Sequence, residues 1–153
     1  MGDLALYRRS DGGFDLAFDE GVGDLLTSES LENAVIVSIG TYARERKLGS
    51  VANLSPCIGG WWGDTFDNLG TLGGYLYEAF PERLTTAVAR RVETLAAEAL
   101  AWLIKDGVAK SVGCVAEMVD EEKLSLRVEV ERPDGNLEQA LVYEIKWKAT
   151  DGI

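Results

Sequence analysis

The residues of this chain whose types could do chemistry are concentrated around the segment 57–74, CIGGWWGDTFDNLGTLGG. Two adjacent tryptophans stand among glycines and three carboxylates follow them: Trp61, Trp62, Asp64, Asp67 and Glu78. Carboxylate-dependent glycoside hydrolases use two carboxyl groups, and an indole beside one of them raises its pKa so that it can donate a proton. The alternative is that Asp64 caps a turn or short helix and the indoles belong to the core. Because a sequence does not fix the distance between two carboxylates, this stretch alone favours the structural interpretation.

Other common kinds of reactive site are poorly represented. The chain has no histidine, so zinc sites and acid–base catalysis lose their commonest ligand and base. Cys57 and Cys114 therefore lack a histidine partner, and they are more typical of small buried apolar residues than of nucleophiles. The glycines match no phosphate-binding pattern, and the acidic residues 120–122 are typical of a solvated turn rather than a metal site. We expect no catalytic residue, no cofactor and no metal ion.

Composition restricts the class of partner. Lys and Arg total 15 against 26 Asp and Glu, which gives a formal net charge of −11. Such a chain repels phosphate backbones, so nucleic acid is not an expected partner, whereas proteins with basic surfaces are. The start of the chain lacks the apolar core of a secretory signal, and no run approaches the roughly 18 apolar residues of a membrane span. Neither a membrane nor a small-molecule substrate is expected.

The elements that would position these residues begin with an N-terminal hairpin and a helix, within one domain over residues 1–153. Leu4–Tyr7 and Phe14–Phe18 alternate around a Ser-Asp-Gly-Gly turn, which predicts the hairpin. Residues 27–30 offer a helix start, and apolar residues then repeat with helical spacing at Leu31, Val35, Ile39 and Tyr42. The β-branched centre AVIVSI leaves a buried strand as the alternative, and the helix is favoured.

A long loop separates this helix from a second one. Residues 48–74 are rich in glycine, and loops of this length tend to be functional or to form interfaces. Tyr75–Phe80 can form a short helix that Pro81 ends. The second main helix is predicted from Thr85 or Thr86 to Lys105, with one apolar stripe composed of Val88, Val92, Leu95, Ala99, Trp102 and Leu103. A glycine after Asp106 can take the left-handed conformation that ends it.

After the second helix the hydrophobic period becomes two. Val108–Val119, Leu124–Arg132 and Leu137–Trp147 read as three strands, each with one apolar face, and Pro133-Asp134-Gly135 supplies the last turn. In the last strand Leu137, Leu141, Tyr143, Ile145 and Trp147 are expected to share the buried face, opposite Glu138 and Glu144. The predicted fold class is α+β: an N-terminal hairpin, two main helices, and a C-terminal three-stranded antiparallel meander packed on the long helix.

Several short strings of residues occur in a distinctive order along the chain. They are Asp-Gly-Gly-Phe-Asp-Leu at 11–16, Leu-Glu-Asn-Ala-Val at 31–35, Gly-Trp-Trp-Gly-Asp at 60–64, Glu-Ala-Leu-Ala-Trp-Leu at 98–103, Asp-Gly-Val-Ala at 106–109 and Arg-Pro-Asp-Gly at 132–135. The layout resembles the gene product forty-six family of Mu-like phages over residues 3–148. The Gly-Trp-Trp-Gly-Asp string is the most specific part of the resemblance.

The resemblance implies a structural protein of a contractile-tail baseplate, in a bacteriophage or a prophage-derived tail. The family is similar to the baseplate wedge protein gene product twenty-five of T-even phages, which helps to start polymerisation of the tail sheath. That wedge protein looks like the strand-exchanging domain of the sheath protein. The implied partners are other wedge proteins and the sheath protein. The implied location is the virion tail baseplate, assembled in the host bacterial cytoplasm.

Two candidate interfaces follow. The first is the loop around Trp61, Trp62 and Asp64, in which we expect at least one indole to be largely buried. The second is the last strand, with Tyr143, Ile145 and Trp147 as candidate residues, because an unpaired strand edge can accept a strand from another protein. Its outer side is either open or covered by the N-terminal hairpin. If it is open, Ile145→Pro should impair sheath initiation by removing a backbone donor.

Overall fold

The computed structural model describes residues 3–11, 13–28, 30–43, 61 and 72–147, and within them the fold is α+β as predicted. The elements are β1 Asp3–Leu4, β2 Leu6–Arg8, β3 Phe14–Leu16, β4 Phe18–Asp19, β5 Asp24–Leu25, β6 Thr27–Ser28, α1 Glu32–Gly40, a 3-10 turn at Leu76–Glu78, α2 Thr86–Lys105, β7 Ser111–Asp120, β8 Lys123–Glu131 and β9 Leu137–Lys146. All strand pairs are antiparallel, and β7, β8 and β9 form the main sheet in that order.

Residues 3–28 form three two-stranded pairs, β2–β3, β4–β5 and β1–β6, which we call the N-terminal ribbon. The predicted hairpin is confirmed as the β2–β3 pair. The three pairs meet in a closed ring of backbone hydrogen bonds, in which Ala5 N donates to Leu26 O, Leu26 N to Ala17 O and Ala17 N to Ala5 O, at 2.8 to 2.9 Å. The ring gives hydrogen-bond partners to N–H and C=O groups that would otherwise have none where the short strands end.

The first helix is confirmed, and the alternative of a buried strand is wrong. Val35, Ser38 and Ile39 are its buried residues, at the 3–4-residue spacing of one helical face. The helix begins at Glu32 rather than within 27–30, because Thr27 and Ser28 pair with β1 instead. The hydroxyl of Ser30 accepts a hydrogen bond from the Glu32 amide at 3.0 Å, which supplies one partner for the first turn.

The long helix α2 also matches its prediction. Thr85 Oγ1 accepts a hydrogen bond from the Val88 amide, and Gly107 takes the left-handed conformation after the last turn. Trp102 is the exception within the predicted apolar stripe, since this side chain is partly exposed. Its indole N–H donates to the buried hydroxyl of Ser38 at 2.9 Å, and that hydroxyl donates to Ala34 O. Trp102 therefore satisfies a buried polar group on α1 rather than filling the core.

The core lies between the two helices and one face of the sheet. The inward side chains of β8, Leu124, Leu126, Val128 and Val130, are fully buried. They lie opposite inward residues of β7 and β9, because the register places Ala116 and Tyr143 on either side of Leu126. The alternation read from the sequence is confirmed for β8, and the turn before β9 has Gly135 in the left-handed region.

The alternation predicted for β9 is wrong at the start of the strand. Val128 pairs with Leu141 and Glu129 with Gln139, so one residue is inserted on β9 between these pairs as a β-bulge. Because side chains alternate with period two, an inserted residue exchanges the two faces on one side of the bulge. Leu137 is consequently exposed, whereas Glu138 turns toward the start of α1.

Glu138 connects three segments of the chain. Its carboxylate accepts hydrogen bonds from Ser30 Oγ at 2.6 Å, from the Leu31 amide at 2.9 Å and from the Arg132 guanidinium at 2.9 and 3.0 Å. Burial acts to raise the pKa of Glu138, but the bonds from Ser30, Arg132 and Leu31 outweigh it and hold the pKa below its ordinary value.

Glu138→Gln should therefore destabilise the protein in a pH-dependent manner. A lowered pKa in the folded state adds stability that is present above the unfolded-state pKa, about 4.3 for glutamate, and is lost as the pH falls through the lower folded-state pKa. We expect a loss of about 1.5–3 kcal/mol at pH 7, the scale of hydrogen bonds to a charged group. Urea denaturation of wild type and variant between pH 7 and pH 3 measures the difference. A gap that stays constant across this range would contradict the assignment, and Glu144→Gln on the exposed side of β9 is the control.

Candidate docking edge of the sheet

Strand β9 is an edge of the main sheet, and within the described residues it pairs only with β8. The Trp147 amide donates to Glu122 O at 2.6 Å, which marks Trp147 as belonging to a hydrogen-bonded pair. In antiparallel strands such pairs alternate with non-bonded ones. The backbone groups of Ile145 and Tyr143 therefore point toward β8, and those of Val142, Glu144 and Lys146 point outward. In the part of the chain that the structure describes, no backbone partner meets these outward groups.

The opposite edge of the sheet, β7, is covered. Helix α2 packs along β7, and the carboxylate of Glu93 accepts a hydrogen bond from the Ala116 amide at 2.9 Å. A carboxylate on an outward amide of an edge strand occupies a position that a pairing strand would need. The two edges thus differ, and β9 is the one that offers its backbone. The sequence signal for Glu93 was weak: it is a glutamate that follows buried Val92 at the border of the α2 stripe.

The side chains predicted at this edge lie mostly on its inner face. Ile145 and Trp147 are buried in the core. The Trp147 indole N–H donates to Glu82 O at 2.7 Å, and its ring meets Phe80 edge to face at 5.3 Å. Tyr143 is half-buried. Of the three candidates only Tyr143 presents side-chain surface beside the edge, so what β9 offers a partner is chiefly backbone.

The N-terminal ribbon borders β9 without pairing with it. The Phe14 ring stacks on Tyr143 with centroids 6.3 Å apart, and the Arg8 guanidinium lies 5.0 Å from the centroid of the same Tyr143 ring. A cleft of about 570 Å³ separates the β2–β3 turn from residues 143–146. Four cationic side chains and two carboxylates line the cleft, namely Arg8, Arg9, Lys123, Lys146, Asp11 and Glu144. It is locally basic in a chain whose net charge is −11.

The other candidate interface lies almost wholly outside the described residues. Trp62 and Asp64 fall there, and Trp61 is 41% exposed. Trp61 is thus not the largely buried indole that the sequence led us to expect, and the expectation for Trp62 stays a prediction. Glu78, the described carboxylate of the hydrolase hypothesis, lies 3.6 Å from Arg91 in a partly exposed ion pair.

The described residues contain little that could support catalysis. Burial, assisted by the nearby Glu93 carboxylate, raises the pKa of the Cys114 thiol to about 11, so the thiolate is scarce at neutral pH. No cluster of three or more metal-ligating side chains occurs among residues whose positions are described. An apolar cavity of about 340 Å³ lies between Phe14, α1 and β9. None of the helices described has the length and apolar character needed to cross a membrane.

Comparison with known proteins decides the family. The model of the family described as Phage protein GP46 matches residues 31–137, most of the chain. The chain belongs to the GP46 family. This GP46 chain is 34% identical over 150 residues to the Mu-like prophage FluMu protein gp46 of Haemophilus influenzae, covering 96% of this chain and 98% of the relative. It is 32% identical over 146 residues to baseplate protein gp46 of Escherichia phage Mu, covering 95% and 96%. The resemblance noted from the sequence is confirmed.

The family model and the two relatives match different lengths of this chain. The GP46 family model begins just before α1 and ends at the first residue of β9, whereas both relatives align across almost the whole chain. The aligned length therefore includes residues that form the N-terminal ribbon and strand β9 in this chain. Neither relative's name refers to hydrolysis.

Proposed function

We propose that this protein is a structural component of a contractile-tail baseplate, a wedge protein that helps to initiate the sheath by accepting a strand at β9. The observation that carries the proposal is the outward row of backbone groups at Val142, Glu144 and Lys146. The name of the phage Mu relative, a baseplate protein, supports the location. The partners are other wedge proteins and the tail sheath protein, and assembly takes place in the cytoplasm of the host bacterium.

The geometry of the edge suits an extended segment. Outward groups on alternate residues repeat about every 6.8 Å along an antiparallel strand, the spacing of donors and acceptors on a partner strand. The segment would enter the cleft between β9 and the β2–β3 turn. Tyr143, which stacks on Phe14 and lies under the Arg8 guanidinium, is one of the residues that line that cleft.

The free protein needs protection against pairing with itself. Glu144 and Lys146 place charges on the exposed side of the edge, and the bulge near Ala140 interrupts regular pairing at its start. Both devices are usual on natural edge strands. We infer that the basic cleft selects a sheath segment carrying carboxylates, while the loop around Trp61, Trp62 and Asp64 serves as a second contact with wedge proteins.

Glu144→Pro is the variant that tests the edge. Glu144 has its N–H directed outward, so proline removes a docking donor and leaves the β8–β9 ladder intact. Ile145→Pro would be a poor test, because the Ile145 amide points toward β8 and its loss breaks the sheet itself. We expect Glu144→Pro to lower the rate of sheath initiation at least tenfold, roughly the effect of one lost interaction of 1.4 kcal/mol or more.

The measurement is sheath polymerisation on purified baseplates reconstituted with the wild type or the variant, counted by electron microscopy. Glu144→Ala is the matched control, because it removes the same side chain and keeps the amide. Circular dichroism must show both variants folded. Equal sheath initiation by folded Glu144→Pro and Glu144→Ala would exclude β9 as the docking edge and leave the tryptophan loop as the candidate.

A further inference from the structure

The hairpin β4–β5, residues 18–25, projects apolar side chains into solvent. Phe18 is 60% exposed and Val22, at the turn, is 78% exposed. Elsewhere in the ribbon Leu4, Leu16 and Leu26 are also exposed. The ring of hydrogen bonds at Ala5, Ala17 and Leu26 satisfies backbone groups at the base of this hairpin. The ribbon is thus built as a folded unit whose apolar side chains remain uncovered, which is typical of a protein-binding surface.

The turn holds Val22 in a fixed position. Asp19 Oδ1 accepts hydrogen bonds from the Gly21 amide at 2.8 Å and the Val22 amide at 3.3 Å. The Gly23 amide donates to Asp19 O at 2.8 Å, and Gly23 has a φ of 74° that favours glycine. A turn that is already ordered loses little conformational entropy when it binds, so the exposed valine is suited to insertion into a pocket.

Charge defines the chemistry of the partner. Asp19 and Asp24 are directly opposite each other across the two strands, and Glu20 adjoins them in the turn. Like charges at opposite positions destabilise a strand pair, and residues 18–25 contain no Lys or Arg. The two cations of the ribbon are engaged elsewhere, since Arg9 pairs with Asp11 at 2.7 Å and Arg8 lies over Tyr143. Neither cation of the described ribbon is therefore placed to relieve this repulsion, and a Lys or Arg on a bound partner would do so.

We propose that the β4–β5 hairpin is a second docking element, which inserts Phe18 and Val22 into an apolar cleft rimmed by Lys or Arg on another protein. The contact uses side chains, whereas the β9 edge uses backbone groups, so the two surfaces can be occupied independently. A second copy of this chain is disfavoured as the occupant, because it would bring a further net charge of −11. Because this contact would form in assembled tails, the proposal rests on the proposed baseplate location.

Hydroxyl-radical footprinting of the free protein and of purified contractile tails tests the hairpin. In the free protein, oxidation should be fast at Phe18 and at Val22-containing peptides. In tails it should fall about tenfold, as expected for anchors seated in a water-excluding pocket. Unchanged oxidation of Phe18 in tails that contain the chain would overturn the docking element. Absence of the chain from tails would instead contradict the baseplate location and withdraw both proposals.

Two serine variants test whether a loss of incorporation is specific to the hairpin or follows from replacing any exposed valine. Val22→Ser should reduce incorporation into tails by about tenfold, as truncation of a buried interface anchor does. Val119→Ser is the matched control, because Val119 is also an exposed valine but lies at the far end of β7.

Benzoylphenylalanine in place of Phe18 should cross-link in tails to an apolar peptide flanked by Lys or Arg. Equal incorporation of both serine variants, a cross-link to an acidic peptide, or a cross-link to a second copy of this chain would each overturn the proposal.

Discussion

Gly73→Ala should lower the free energy of unfolding by about 3–5 kcal/mol, the sum expected from a forbidden backbone conformation and a backbone collision. Gly73 has a φ of 100°, and a Cβ there would lie 2.4 Å from Thr41 O, 2.9 Å from Thr41 C and 3.0 Å from Ala43 N. All three atoms are backbone, so no side chain can rotate away to make room.

The backbone at this crossing cannot move without breaking other bonds. The Gly74 amide donates to Thr41 O at 2.9 Å, and the Ala43 amide donates to Gly74 O at 3.0 Å. These bonds join the chain just after α1 to the chain that resumes before the 3-10 turn, as a parallel bridge between Tyr42 and Gly74. They hold the chain around Thr41–Ala43 against the chain at Gly74, so the substitution should weaken the packing of α1 against the rest of the fold.

Gly135→Ala is the matched control for this substitution. Gly135 has a similar φ of 87°, but a Cβ would meet nothing within 4 Å. Gly135→Ala should therefore lower the free energy of unfolding by only about 1–2 kcal/mol, because alanine disfavours this backbone conformation but meets no collision there. Urea denaturation followed by circular dichroism measures both variants. Equal losses at the two positions would mean that the crossing at Thr41 is not close-packed as described.

Leu141→Ala should cost about 2–4 kcal/mol of stability, whereas Leu137→Ala should cost no more than about 0.5 kcal/mol. Both leucines belong to β9 and differ by an even number of residues, so simple alternation places them on the same buried face. The bulge between them separates their environments: Leu141 is 8% exposed and Leu137 is 69% exposed. Truncating Leu141 leaves a cavity beside Leu126 and Val128, and truncating Leu137 removes atoms that are already in water.

Thermal and urea denaturation of the two alanine variants give the comparison directly, since the deletion is chemically the same. A similar loss at both positions would show that β9 pairs with β8 without the bulge. The same result would remove Glu138 from its contacts with Ser30 and Arg132 and would also undermine the pH dependence predicted for Glu138→Gln.

Elements with a local, periodic signal could be predicted from the amino-acid sequence. The stripe of α2, its threonine cap and the glycine after Asp106 define a helix from 86 to 105, and strict alternation in residues 124–130 defines β8. The order of the α+β elements and the turn at Pro133-Asp134-Gly135 followed in the same way. The family was also readable, because the Gly-Trp-Trp-Gly-Asp string and its neighbours identified what the comparison with GP46 proteins confirmed.

Which backbone groups strand β9 presents at the edge of the sheet could be read only from the three-dimensional structure. A bulge has no local sequence signal, because its position depends on how β9 meets β8, and it reversed the expected faces of Leu137 and Glu138. The direction of the Ile145 amide follows from the bond between Trp147 and Glu122. Likewise, Glu93 covers the β7 edge, and the three strand pairs of the N-terminal ribbon close through Ala5, Ala17 and Leu26. These features depend on hydrogen bonds between residues distant in the chain, and no periodicity within a single segment records them.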